Sequence, residues 1–180
     1  TKIVLVTTAF LLVLGFTVFY LAEYNGAMRG FSIHRRILGS WFQSVTLRTA
    51  GFNTIDLSQI GKASVLISIV LMFIGASPGS TGGGIKTTSF AVLTLSVISL
   101  LKGKRHISVF KRRIHEYNFR EATGLIMLSI TIILVVLFFL MLVEPHAFDK
   151  LLFEAVSAFG TVGLTLGITP QLTVIGKLLI

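Results

Sequence analysis

Two short runs carry the residue types that an ion-coordinating backbone needs. Thr49-Ala50-Gly51-Phe52-Asn53 and Thr161-Val162-Gly163-Leu164-Thr165 are each a Thr-x-Gly-apolar string. Glycine tolerates backbone angles that turn successive carbonyls toward one side, and rings of carbonyls around an axis can replace the hydration shell of a cation. The chemistry on offer is coordination by main-chain oxygen, presented by Thr49, Ala50, Gly51 and Phe52 in one run and by Thr161, Val162, Gly163 and Leu164 in the other. A lone string of this kind would read equally well as a strand with a bulge. Here it occurs twice, 112 positions apart (49 to 161, 51 to 163), each time after a stretch that can form a short helix, 37–48 and 149–159. Each run is followed by Ile-Gly-Lys, at 60–62 and 175–177. The later Ile-Gly-Lys lies three residues further from its glycine, which predicts an internal repeat with an insertion after the loop.

A third stretch is built for irregular backbone. Residues 75–88 contain Gly75, Ser77, Gly79, Ser80, Thr81, Gly82, Gly83 and Gly84, with Pro78 and Lys86 among them. Proline removes a donor, and each glycine weakens a helix by about 1 kcal/mol relative to alanine. Apolar helix-like segments, 63–74 and 89–101, flank it, so the expected element is one spanning helix broken at membrane depth. Backbone of that kind is tolerated there only where it lines a cavity or is buried in protein. A loop so placed can act as a gate. Lys86 is the only charge in 63–101, and the expectation is that it helps hold the closed form; the alternative is that it snorkels to the inner interface. An aqueous loop between two short helices is the other reading of the stretch. A phosphate loop is excluded, because Ile85 stands where the G-x-x-x-x-G-K-[ST] string requires lysine.

The elements that must position these runs are apolar helices. The 180 residues are 53% hydrophobic and 13% charged, against about 25% charged for a soluble domain, so the bilayer is the expected solvent. Segment 3–22 carries no charge, and 122–143 is apolar throughout. Each is long enough to cross a hydrocarbon core of about 30 Å at about 1.5 Å per residue. A signal peptide would have a shorter apolar region than 3–22 and a small-residue cleavage site after it. Segment 37–48 is too short to span, with Trp41 and Phe42 as interface anchors. The stretch 23–36 reads as a basic surface connection, and Asp149 as the cap of the second short helix. Glu144-Pro145-His146 ends the span before it, and a last helix starts from Leu172.

Charge sets the orientation. The net charge of +9 is concentrated at 102–120 in Lys102, Lys104, Arg105, Lys111, Arg112, Arg113 and Arg120, against Glu116. Short loops rich in Lys and Arg stay in the cytoplasm. A cluster wedged between membrane segments needs no nucleic acid, though it suits anionic lipid or a cytoplasmic subunit. With this loop inside, both short helices and their glycine loops enter from outside, as a pore built of repeats requires. Three arginines in 29–36 then lie outside, against the trend. The expected organisation is 1–101, a helix–pore loop–broken helix repeat; 102–121, a cytoplasmic linker; and 122–180, a second repeat cut short in its last helix. There is no cysteine, and His34, His106, His115 and His146 form no H-x-x-x-H or H-E-x-x-H pair, so nothing supports an enzyme. A non-conducting membrane scaffold or receptor explains the apolar runs but not two matched loops.

The runs Arg48-Thr49-Ala50-Gly51-Phe52-Asn53, Met72-Phe73-Ile74-Gly75-Ala76, Ser80-Thr81-Gly82-Gly83-Gly84-Ile85-Lys86-Thr87-Thr88 and Ser157-Ala158-Phe159-Gly160-Thr161-Val162-Gly163-Leu164-Thr165 resemble the Trk/Ktr potassium-uptake family over essentially the whole chain. The resemblance implies an all-α integral membrane fold: repeated helix–pore loop–helix units of a potassium-channel-like pore, of which this chain looks like the third repeat and most of the fourth in a four-repeat subunit. It implies potassium as substrate at filter carbonyls, with sodium as a candidate coupling or activating ion and no cofactor. One glycine per repeat, Gly51 and Gly163, stands in place of a channel's T-V-G-Y-G string. The family's intramembrane gating loop falls on 75–88, and an arginine that its last helix usually carries toward that loop is not in this sequence. A homodimer in the cell membrane, multi-pass, working with a cytoplasmic nucleotide-binding regulatory subunit, is the assembly implied.

Overall fold

Hydropathy and capping set the helix boundaries. The computed structural model describes residues 2–103, 108–109, 112–113 and 116–180. Lys104, Arg105, His106, Lys111 and His115 lie outside the described residues. Among the described residues, α1 (Lys2–Ala22) and α5 (Glu116–Val143) are the two helices long and apolar enough to cross a membrane. Their outer faces are bare, with Leu5, Phe10, Leu128, Phe138 and Leu142 all exposed, a pattern suited to lipid and unsuited to water.

Between them lie the shorter elements. α2 (Ile33–Thr46) starts earlier than the sequence suggests, because the Ser32 hydroxyl caps it by accepting from Arg35 N at 3.4 Å. α3 (Lys62–Phe73) and α4 (Thr87–Leu101) are the two halves of the broken helix. α6 (Phe148–Phe159) is the second short helix and α7 (Val174–Leu179) the last. Single 3₁₀ turns, Leu57–Gln59 and Thr169–Gln171, precede α3 and α7. β1 (Ser108–Val109) and β2 (Arg112–Arg113) form a two-residue antiparallel ladder, a detail hydropathy does not predict in an otherwise helical chain.

Four expectations need correction. Asp149 is not a cap: Ala147 takes that position, and helix α6 begins at Phe148, which puts Asp149 one step inside the first turn. There its charge still favours the helix N-terminus. The stretch 23–36 is not all surface, since Glu23 and Met28 are fully buried. The basic linker is shorter than 102–120, because α5 starts at Glu116 and its first turns carry Arg120 above the apolar span. The last correction concerns the repeat. The 3₁₀ turns begin at 57 and 169, the caps of α3 and α7 are Gly61 and Thr173, and the helices begin at 62 and 174. All are 112 apart, like the loops themselves. No insertion follows the loop; the second Ile-Gly-Lys lies one turn inside α7 and is not the counterpart of the first. The length difference lies upstream. From the end of the outer helix to the loop threonine the first repeat runs 22 to 49 and the second 143 to 161, nine residues fewer.

The two repeats share a core. α1 crosses α2, with the Ser44 hydroxyl donating to Leu12 O at 2.8 Å, and Gly15 leaves no room for a Cβ against Ser44 and Leu71. α3 packs on α6, α4 on α5, and α5 on α6 and α7. Leu47, Leu71, Met72, Phe153, Val156, Val162 and Leu164 interlock where the repeats meet. That meeting point is directly behind the two glycine loops.

Candidate functional site

Each loop grows out of the last turn of a short helix. Ala50 N and Gly51 N both donate to Thr46 O, at 3.1 and 3.3 Å; Thr161 N donates to Ala158 O and Val162 N to Ser157 O, each at 2.9 Å. Both loops then take the same rare path. Thr49 and Thr161 have φ of 70° and 53°, and Gly51 and Gly163 have 76° and 80°. Left-handed residues therefore alternate with ordinary ones in each run. Alternation of this kind is what a loop needs to aim successive carbonyls toward one side. Glycine adopts such angles freely. A β-branched threonine does not, and residues held there cost about 1–3 kcal/mol each and persist only where their surroundings force them.

Hydroxyl groups supply that force. Thr46 Oγ1 donates to Phe52 O at 2.7 Å and accepts from Phe52 N at 2.8 Å. The Ser157 hydroxyl donates to Leu164 O at 2.7 Å. Phe52 and Leu164 are register partners, yet the hydroxyls that hold them are not: the counterpart of Thr46 is Ala158, and that of Ser157 is Val45. Buried Glu154 braces the second loop, accepting from the hydroxyls of Thr165 and Thr169, the latter at 2.7 Å. Thr46, Ser157 and Glu154 escape a sequence reading, although a carboxylate in the middle of an apolar short helix was a visible clue. The surroundings of the loops differ. Val162 and Leu164 are buried, whereas Ala50 and Phe52 are exposed.

The structure brings the three glycine-rich stretches together. The Val162 carbonyl lies against Gly51, where a Cβ would overlap it. The 75–88 loop meets both ion loops at their first residues. A Cβ on Gly82 would sit 2.7 Å from Thr49 Oγ1, and one on Gly83 would sit 2.7 Å from Phe159 O. Gly83 N donates to Thr161 Oγ1 at 2.7 Å. At 82 and 83 only glycine fits. The loop returns to its own helix where Ile85 N donates to Phe73 O at 2.9 Å, and Gly75 and Gly83 touch so closely that Gly75 too has no room for a side chain. Ser77 and Ser80 close the outlying turn, with Ser80 Oγ donating to Ser77 O at 2.7 Å; Gly79, Ser80 and Thr81 are exposed. Gly79 and Gly84 take left-handed angles. Lys86 caps α4 and folds back over the loop, its ammonium donating to Gly82 O at 2.5 Å and Ser80 O at 3.1 Å.

Matched loops beside long apolar helices, with a broken helix packed against them, define the class: a protein of repeated helix–loop–helix units. The whole chain, residues 1–180, matches the family model TrkH, described as a cation transport protein. The chain belongs to this TrkH family of cation transport proteins. It is 42% identical over 179 residues to Ktr system potassium uptake protein B of Vibrio alginolyticus, covering 98% of this chain and 39% of that one. It is 39% identical over 180 residues to Ktr system potassium uptake protein D of Bacillus subtilis (strain 168), covering 100% of this chain and 40% of that one. The crystal structure of the potassium transporter TrkH from Vibrio parahaemolyticus shares its fold, with a TM-score of 0.72 at 22% identity over 96% of this chain and 39% of that chain. The chain thus spans about two fifths of the length of the relatives it matches.

Proposed function

We propose that this chain supplies two of the pore loops of a potassium transporter, with Thr49–Phe52 and Thr161–Leu164 carbonyls as the ion-binding filter and 75–88 as an intramembrane gate. The observation that carries the reading is the shared backbone of the loops: left-handed Thr and left-handed Gly at the same two places in each. Strain of that kind, held by Thr46 and Ser157, has no role in packing alone. The contact of Gly82 and Gly83 with Thr49 and Thr161 supports the gate, because a loop seated there obstructs the path leading away from both loops. Lys86 holds that loop by its carbonyls and adds a positive charge beneath the ion path. Potassium is the cargo and sodium a candidate coupling or activating ion, in keeping with relatives named as potassium uptake proteins.

The assembly proposed with this reading is a multi-pass protein of the cell membrane, dimeric, and governed by a nucleotide-binding subunit at the cytoplasmic 102–120 face. The test is ion flux. The intact transporter, reconstituted into liposomes, is expected to take up rubidium or potassium down a gradient, with sodium a poorer substrate. A folded protein in the bilayer that carries neither ion would make the chain a scaffold.

A further inference from the structure

Glu23 and Glu144 each follow the last residue of a long outer helix, after Ala22 of α1 and Val143 of α5. Neither belongs to an ion loop, and both are buried, at 0% and 4% exposure. Glu23 Oε1 accepts from Gly61 N at 2.8 Å and from the Ser64 hydroxyl, while Oε2 accepts from Ala27 N at 3.0 Å. Glu144 Oε1 accepts from Thr173 N at 2.8 Å and Thr173 Oγ1 at 2.6 Å. Gly61 and Thr173 are the caps of α3 and α7 and are register partners. So are Ser64 and Gly176. In the first repeat that position carries a hydroxyl that donates to the carboxylate. In the second it carries no side chain, and a Cβ there would overlap Glu144 Oε1. Burying a carboxylate is unfavourable unless it is hydrogen-bonded. The chain thus places a carboxylate on the cap of the following helix twice, although the two glutamates are 121 positions apart and the caps 112 (23 to 144, 61 to 173); the second is less fully paired, since Glu144 Oε2 is buried with no hydrogen-bond partner among the described residues.

We propose that Glu23 and Glu144 are matched positioning residues that tie down the outer ends of the two ion loops and thereby set ion affinity. The ten-residue step from Gly51 to Gly61 is held at one end by Thr46 on Phe52 and at the other by Glu23 on Gly61. The step from Gly163 to Thr173 is held in the same way by Ser157 on Leu164 and Glu144 on Thr173. Releasing the outer tie lets the segment drift and shifts the loop carbonyls that precede it, which weakens ion binding more than it slows turnover. The inference rests on the ion-transport reading above.

Glu23→Ala and Glu144→Ala in the intact transporter remove the oxygens that accept from the caps of α3 and α7. Each is expected to raise the KM for rubidium uptake about fivefold, the factor matching loss of one helix-cap contact, with the maximal rate little changed. A thermal-stability cycle tests the contact itself. Gly176→Ala should lower the melting temperature by clashing with the carboxylate, and should lower it less in the Glu144→Ala background, where no carboxylate is left to clash, so the two effects are not additive. Unchanged KM in both alanine variants, or additive effects in the cycle, overturns the proposal. Should the alanine variants fail to reach the membrane, KM is compared in wild type and Gly176→Ala, whose methyl pushes the carboxylate off Thr173: a raised KM supports the clamp and an unchanged one overturns it. A wild-type transporter without uptake defeats the transport reading instead, and the melting cycle, which needs no transport, then decides the clamp alone.

Discussion

The carbonyl oxygen of Val162 lies against the Cα of Gly51, close enough that a Cβ at Gly51 would overlap it. One ion loop is thus the steric floor of the other. Gly163, its register partner, has left-handed φ but nothing within 4 Å of where a Cβ would stand. The two glycines share a conformation and differ in their neighbours.

Unequal substitution effects follow. At Gly163 a serine meets only backbone strain, about 1–2 kcal/mol. Gly163→Ser should fold and reach the membrane while weakening potassium affinity and discrimination against sodium. Gly51→Ser adds a collision with Val162 and should lower both the melting temperature and uptake further. Uptake kinetics and thermal melts of the two variants measure this directly; equal effects would mean that the loops are not apposed.

Thr161 has a second task besides its strained φ, since its Oγ1 accepts from Gly83 N. Thr161→Val keeps the shape and removes the acceptor. Leaving a donor unpaired costs about 1–3 kcal/mol, and here the cost falls on the closed position of the loop. Basal rubidium leak into liposomes should rise severalfold, whereas Thr161→Ser, which retains the oxygen, should stay near wild type.

Lys86→Met should act in the same direction by freeing the carbonyls of Gly82 and Ser80. Charge-assisted hydrogen bonds contribute about 1.5–3 kcal/mol, enough to shift a two-state loop by at least tenfold. Deleting 79–84 should go further, raising flux and uncoupling it from the cytoplasmic subunit. A folded deletion variant with parental flux and regulation would reduce the loop to a spacer.

Orientation is tested with single cysteines at Ser108, in the basic linker, and at Ala147, the cap of α6. An impermeant thiol reagent should reach them from opposite sides of the membrane. Labelling of both from one side would reverse one repeat relative to the other.

Much of this was legible in the sequence because hydropathy and glycine content report on local physics. Segments 3–22 and 122–143 were apolar over membrane length, and 75–88 was too rich in glycine for a helix. The structure has these elements within a few residues of where the pattern put them. The register was misread because Ile-Gly-Lys is a short string and one copy of it falls in α7 by coincidence. The left-handed threonines were not legible, since nothing local makes Thr adopt that angle; the restraint comes from neighbouring groups such as the Gly83 N–H that ties down Thr161. Glu23 looked like a surface residue beside Tyr24 and Arg29, and only the approach of Gly61 from 38 positions away explains its burial.

The 112-residue register makes the chain its own control. From the glycine loops through the caps of the helices that follow, the positions pair 112 apart, and the backbone repeats at Thr49/Thr161, Gly51/Gly163 and Gly61/Thr173 but not at Ile55/Gly167 or Asp56/Ile168. Phe52 is 70% exposed and its twin Leu164 only 2%. A substitution made at both members of a pair whose backbone repeats holds the local conformation constant, so any difference between the two outcomes measures the surroundings. Upstream of the short helices the twins are lost, because the first repeat carries nine more residues there. Symmetry in this protein therefore runs from the short helices to the caps of α3 and α7, and the connection from the outer helix is where the two halves differ in length.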